Sequence, residues 1–151
     1  MKLSFIGMFL AGGCSVSAQG IPAVSNQQVA RAQTVAYCEI LENPGRFQGT
    51  MIRVRALYET DFEKSVITSP SCDTGLAMTW INFDRTWESR TTWRVRHTLS
   101  HQRWSVQMDV VFIGLFKGDG HYGHLDTYPF ELNVYKVESV RPSGHFRPMP
   151  D

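Results

Sequence analysis

The stretch Asn43–Tyr58, NPGRFQGTMIRVRALY, decides how the rest of the chain is read. Pro44 has no backbone N–H and its ring clashes with a preceding helical turn. Gly45 follows, so a helix arriving from upstream stops here. Gly49 marks a second turn. From Met51 to Tyr58 the pattern alternates, with Ile52, Val54 and Tyr58 on one face and Arg53 and Arg55 on the other. Side chains of a strand alternate faces, so this is a strand with one wet side. The arginine pair reads either as a solvated strand face or as a ligand contact.

Upstream of this stretch, Ala30, Tyr37, Ile40 and Leu41 fall at helical spacing and predict one helix over Gln27–Glu42, with Ser25 or Asn26 as its cap. Residues 19–26 contain Gly20, Pro22 and Ser25 and read as a flexible lead-in. Residues 1–18 have the pattern of an export signal. Lys2 is the positive end, Leu3–Ala11 is an apolar run too short to span a membrane, and Val16-Ser17-Ala18 fits the small-residue cleavage rule. Cleavage there predicts a mature start at Gln19. The alternative is a lipid anchor: Leu10-Ala11-Gly12-Gly13-Cys14 resembles a bacterial lipoprotein box, with Leu10 one residue too far from Cys14.

The expected compartment, periplasm or cell envelope, changes how the cysteines read. Cleavage leaves Cys38 and Cys72, an even number in an oxidising environment, and predicts a disulfide, with two unpaired thiols as the alternative. A metal site on them is disfavoured because neither has a second cysteine or a histidine close by in sequence. The mature chain carries 14 basic and 14 acidic residues. Such a balance gives no global attraction to nucleic acid.

Downstream, Ser65–Ser69 is a short strand with β-branched Val66, Ile67 and Thr68. Residues 69–75 are loop. In Leu76–Phe83, Ala77, Thr79 and Ile81 alternate with Met78, Trp80 and Asn82. Asp84–Arg103 shows no single period. It carries five arginines, with Trp87, Trp93, His97 and His101, and Trp104 at its edge, and reads as an inserted, partly helical or hairpin connection. Ser105–Lys117 is a strand apolar on both sides in its second half, or bulged near Gly114. Gly118–Phe130 is a loop. In Glu131–Arg141 the apolar phase changes between Val134 and Tyr135, which predicts a bulge. Residues 142–151 form a tail. The folded unit is thus 27–141: mainly β, one helix and five strands, with a long connection between strands three and four. That pattern fits a small closed or partly open barrel of the oligonucleotide/oligosaccharide-binding (OB) type.

A resemblance points the same way. Cys38-Glu39-Ile40-Leu41, Asn43-Pro44, Phe47, Gly49, Ile52-Arg53-Val54-Arg55, Ser69-Pro70-Ser71-Cys72 and Gly120-His121-Tyr122-Gly123-His124-Leu125 resemble a group of small exported bacterial proteins of unknown function with OB-like domains. The likeness covers roughly residues 35–140 and implies no activity.

Two constellations offer chemistry. His121 and His124 form an H-x-x-H in a glycine-rich loop beside Asp119 and Asp126, and His97 and His101 are four apart. Imidazole and carboxylate are ordinary zinc ligands, so the two pairs suggest a metal site and a metal-dependent hydrolase as one reading of the chain. The competing explanation is histidines bonded to loop backbone. Trp87, Trp93, Arg94 and Arg96, with Arg53 and Arg55, are candidates for a binding surface, since aromatic rings stack on sugars or bases and arginines pair with phosphate or carboxylate. The competing explanation is tryptophans that plug the barrel end. Ser100, Ser105 and Ser139 lie in no nucleophile elbow, and Gly118–Gly123 lacks the lysine of a phosphate loop. The leading expectation is a non-enzymatic module, without a cofactor, that binds a protein or an envelope ligand.

Overall fold

The computed structural model describes residues 23–72, 78–101 and 106–143. Its strands are β1 (Gln33–Ala36), β2 (Met51–Thr60), β3 (Ser65–Thr68), β4 (Thr79–Phe83), β5 (Val106–Lys117) and β6 (Phe130–Pro142). They pair in the order β1-β2-β3-β4-β6-β5, and β2 also pairs with β5, which closes the last five into a barrel. Four of the barrel's pairings are antiparallel; β4 runs parallel to β6. This mixed closure is the expected OB-like barrel. Inside it, Ile52, Val54 and Tyr58 of β2 are buried as the alternation requires, and Ala56 completes the row. Removing such side chains from water contributes roughly 1.5–3 kcal/mol each.

The single helix expected over Gln27–Glu42 does not form. The segment divides into α1 (Asn26–Ala30), strand β1 and α2 (Tyr37–Glu42). Thr34 and Val35 are β-branched and pair in parallel with Arg53 and Val54, which satisfies the edge of β2 and buries Val35. A helix of this length gains too little from propensity to outweigh that pairing. Tyr37 and Ile40 keep their helical spacing within α2 and reach the core; Ala30 belongs to a separate turn. Ser25 caps α1 in a reciprocal pair with Gln28. Pro44 does follow the end of α2, but it also opens α3 (Pro44–Phe47), where its missing N–H is not needed. Gly49 turns the chain with φ +68°.

The two-sided apolar half of β5 has a direct cause. Phe112 points into the barrel, while Ile113 faces outward and is covered by Val29 of α1 and Tyr135. On β6, Val137 pairs with Phe112 and Val134 with Gly114, so Tyr135 and Glu138 are extra residues. These bulges move the inward phase from Leu132 and Val134 to Val137, the phase change read from the sequence.

Cys38 of α2 and Cys72 beyond β3 are joined by a disulfide across 34 residues. In the chain-entropy account a loop of this size stabilises the fold by about 4 kcal/mol. The bond is compatible with an exported protein. Beside it, the Tyr37 hydroxyl donates to the Ile67 carbonyl at 2.9 Å and lies 3.0 Å from Thr79 Oγ1. Burial pushes the phenol up to about 12, and its bonds to Thr79 only partly offset this. The leader with Cys14, residues 73–77, Trp104 and the tail beyond Ser143 lie outside the described residues. Among those described, no helix is long and apolar enough to cross a membrane.

Candidate ligand-binding site

A cleft of about 340 Å³ opens on the barrel wall between the β2–β3 turn and the β5–β6 loop; its lining includes Phe62, Trp80 and His124. The turn is rigid for a local reason. Asp61 Oδ1 accepts from the backbone N–H groups of Glu63 and Lys64 at 3.0 and 2.8 Å, and Asp61 N–H donates to the Lys64 carbonyl at 2.8 Å. Phe62 therefore stands at the tip, 79% exposed. Lys64 is tied back to Glu59 at 2.5 Å, while Asp61 and Glu63 stay exposed at the rim.

Trp80 floors the cleft from the outward face of β4. Its ring lies 5.2 Å from that of Tyr128. Gly123 presses its backbone on the indole: a Cβ there would meet Trp80 at 2.5 Å, and its φ is +72°. Tyr122 and Tyr128 close the loop by paired backbone bonds of 2.9 and 3.2 Å. Within this closure Asp119, Leu125 and Asp126 all adopt left-handed φ, between 52° and 57°. That conformation costs an L-residue about 1–2 kcal/mol, and such strain concentrates at functional sites. Leu125 occupies it while 78% exposed, so no packing gain explains its place. Phe62, Trp80, Leu125 and Tyr128 were not singled out from the sequence. The available signals were the outward phase of Trp80, the turn-forming Asp61 and the glycines around Tyr122.

The residues singled out from the sequence are distributed differently. Trp87 opens α4 (Trp87–Arg90), lies 5.0 Å from Phe83 and packs on the barrel core together with Val95 and Leu99 of α5 (Trp93–Ser100). Between the helices, Thr91 Oγ1 accepts from Val137 N–H at 3.0 Å, beside the Glu138 bulge. Arg90 reaches back to Asn26 Oδ1 and the Val24 carbonyl at 2.8 and 2.7 Å. Trp93 is 68% exposed, Arg94 is exposed, and Arg96 lies 3.7 Å from Glu88. Arg53 pairs with Glu138 at 2.6 Å. Arg55 borders a shallow pocket with Asp109, Ser139 and Arg141. His121 Nδ1 lies 3.3 Å from the Asp126 carbonyl, His124 faces the cleft, and His97 stacks on His101. Catalytic zinc centres use three protein ligands; among the described residues no three His, Cys, Asp or Glu side chains are grouped to hold a metal.

The arrangement offers an aromatic floor, two apolar lips, two carboxylates and an imidazole. The chain matches no protein-family model, no curated protein and no solved structure.

Proposed function

We propose that the protein is an exported, non-enzymatic binding module of the cell envelope and that the cleft beside Trp80 takes a saccharide. One observation carries the reading: Phe62 and Leu125 are presented to solvent on either side of Trp80, the latter on a strained backbone. A sugar has apolar C–H faces that rest on aromatic rings and hydroxyls that bond carboxylate and imidazole. The charge at the rim favours it over an anionic ligand, because Asp61 and Glu63 are exposed while Lys64 is already paired with Glu59. Export is supported by the leader pattern and by the compatibility of the disulfide with an oxidising compartment.

The binding test is an NMR titration of the mature protein with soluble peptidoglycan fragments and other envelope saccharides. Shifts should cluster at residues 61–65, the Trp80 indole and residues 121–128. Phe62→Ser and Leu125→Asn should remove them while leaving a dispersed spectrum, since asparagine tolerates a left-handed backbone. Shifts absent for every saccharide, or centred on α5, sink the reading. Export is tested separately by intact mass from the native host: a chain starting at Gln19 and two hydrogens short of full reduction is expected, and an uncleaved chain removes the envelope assignment.

A further inference from the structure

Trp93, His97 and His101 recur every four residues along α5 and its C-cap, so they share one face. Val95 and Leu99 face the barrel and pack on its core, which turns the aromatic stripe outward. Both histidines are exposed. Their rings stack with centroids 3.8 Å apart and planes 16° from parallel, and the Trp93 ring is 5.0 Å from His97. His101 Nδ1 lies 2.9 Å from the His97 carbonyl oxygen. A carbonyl only accepts, so this nitrogen carries the proton and Nε2 keeps its lone pair. Metal-ligating histidines are oriented in the same way, by a bond from the far ring nitrogen to a backbone carbonyl or carboxylate. Neither imidazole forms an ion pair among the described residues.

We propose that His97 and His101 form a two-imidazole site for a divalent first-row transition ion, copper(II) above all. Copper(II) stands highest in the affinity order for nitrogen ligands, and its tetragonal geometry accommodates two neighbouring imidazoles with solvent completing the sphere. Structural zinc sites, in contrast, use four protein ligands, and this face offers two. The last side-chain torsion of histidine is soft, so the stacked rings turn to a common ion at little cost. The guanidiniums of Arg94 and Arg96 on the same helix oppose a cation, and Glu88 beside Arg96 offsets part of that field. The site is separate from the cleft and does not depend on a saccharide ligand.

The test is a copper(II) titration of the full folded protein in a non-coordinating buffer, followed by electron paramagnetic resonance and tryptophan emission. One ion per chain with two nitrogen ligands is expected, with quenching of Trp93. His97→Ala and His101→Ala should each weaken this binding at least about tenfold, the scale of lesser perturbations around metal ligands. His121→Ala with His124→Ala should leave it unchanged, and Trp93→Phe should keep the copper while reducing the quenching. Circular dichroism checks that the exposed substitutions preserve the fold. A native chain that takes up no stoichiometric copper, or a His97→Ala/His101→Ala chain that binds as tightly as the native one, overturns the proposal.

Discussion

The connection from β4 to β5 and the loop from β5 to β6 each carry a histidine pair and an exposed apolar side chain, yet the barrel uses them in opposite ways. The first is a cap. Trp87, Val95 and Leu99 turn inward on Phe83 and the core, Thr91 hooks Val137, and the polar residues take what surface is left. The second forms one wall of a cleft. It puts little into the core; its backbone bends through Asp119, Gly123, Leu125 and Asp126 in left-handed conformations and presents Leu125 and His124 outward. A segment rich in arginine and tryptophan attracts notice by composition. Composition, however, does not say which rings face the core, and a strained backbone is the better pointer to a surface kept for binding.

That contrast is most directly broken at the tryptophans of the cap. Trp87→Ala should cost about 3 kcal/mol in urea denaturation, whereas Trp93→Ala should stay within about 0.5 kcal/mol. Equal costs would mean that the helical connection does not close the barrel through Trp87. A pH series then separates the barrel wall from both connections. The folded value for Tyr37 lies above its ordinary 10.0, so the neutral phenol is the stabilising form. Its contribution is complete below about pH 10 and is lost as pH rises toward about 12, up to about 3 kcal/mol. Tyr37→Phe should abolish that alkaline slope; a slope that survives assigns it elsewhere.

For the β5–β6 loop, Gly123→Ala should destabilise by roughly 1–3 kcal/mol, because φ is +72° and the new Cβ meets the Trp80 ring. Gly45→Ala is the control: no atom lies within 4 Å of the position, so it should be neutral or slightly stabilising. A costless Gly123→Ala would show that the loop is not seated on Trp80. The smallest effect is expected at the base of the cap. Burial works against the Asp84 carboxylate, but bonds from the Thr86 hydroxyl and backbone and the charges of Arg90 and Arg85 outweigh it and hold its pKa below the usual range. The resulting stability is present above the ordinary carboxylate value and is lost as pH falls through the lowered one. Asp84→Asn should flatten this acid limb, and an unchanged limb would remove Asp84 from the account.

Much of the frame was legible before any coordinates. The Met51–Tyr58 alternation placed Ile52, Val54 and Tyr58 inside, and the phase change after Val134 marked a real bulge. The cysteine count, read with the leader, gave the right partners. The helix over Gln27–Glu42 failed because the spacing of Ala30, Tyr37, Ile40 and Leu41 is satisfied equally by two short helices around a strand. Which arrangement wins depends on whether β2 has an edge to fill, and that information lies elsewhere in the chain.

The cleft was illegible for a related reason. Phe62 and Leu125 are 63 positions apart. Each is an ordinary apolar residue in its own neighbourhood, and only the barrel sets them on either side of Trp80. The sequence by itself determined the elements whose cause is local: alternating strands, turn residues, the serine cap and the disulfide partners. Tertiary structure alone decided which aromatic rings are core and which are surface, and which loops meet across the barrel wall. Those outcomes depend on pairing between distant strands, and neither residue type nor local periodicity carries that pairing.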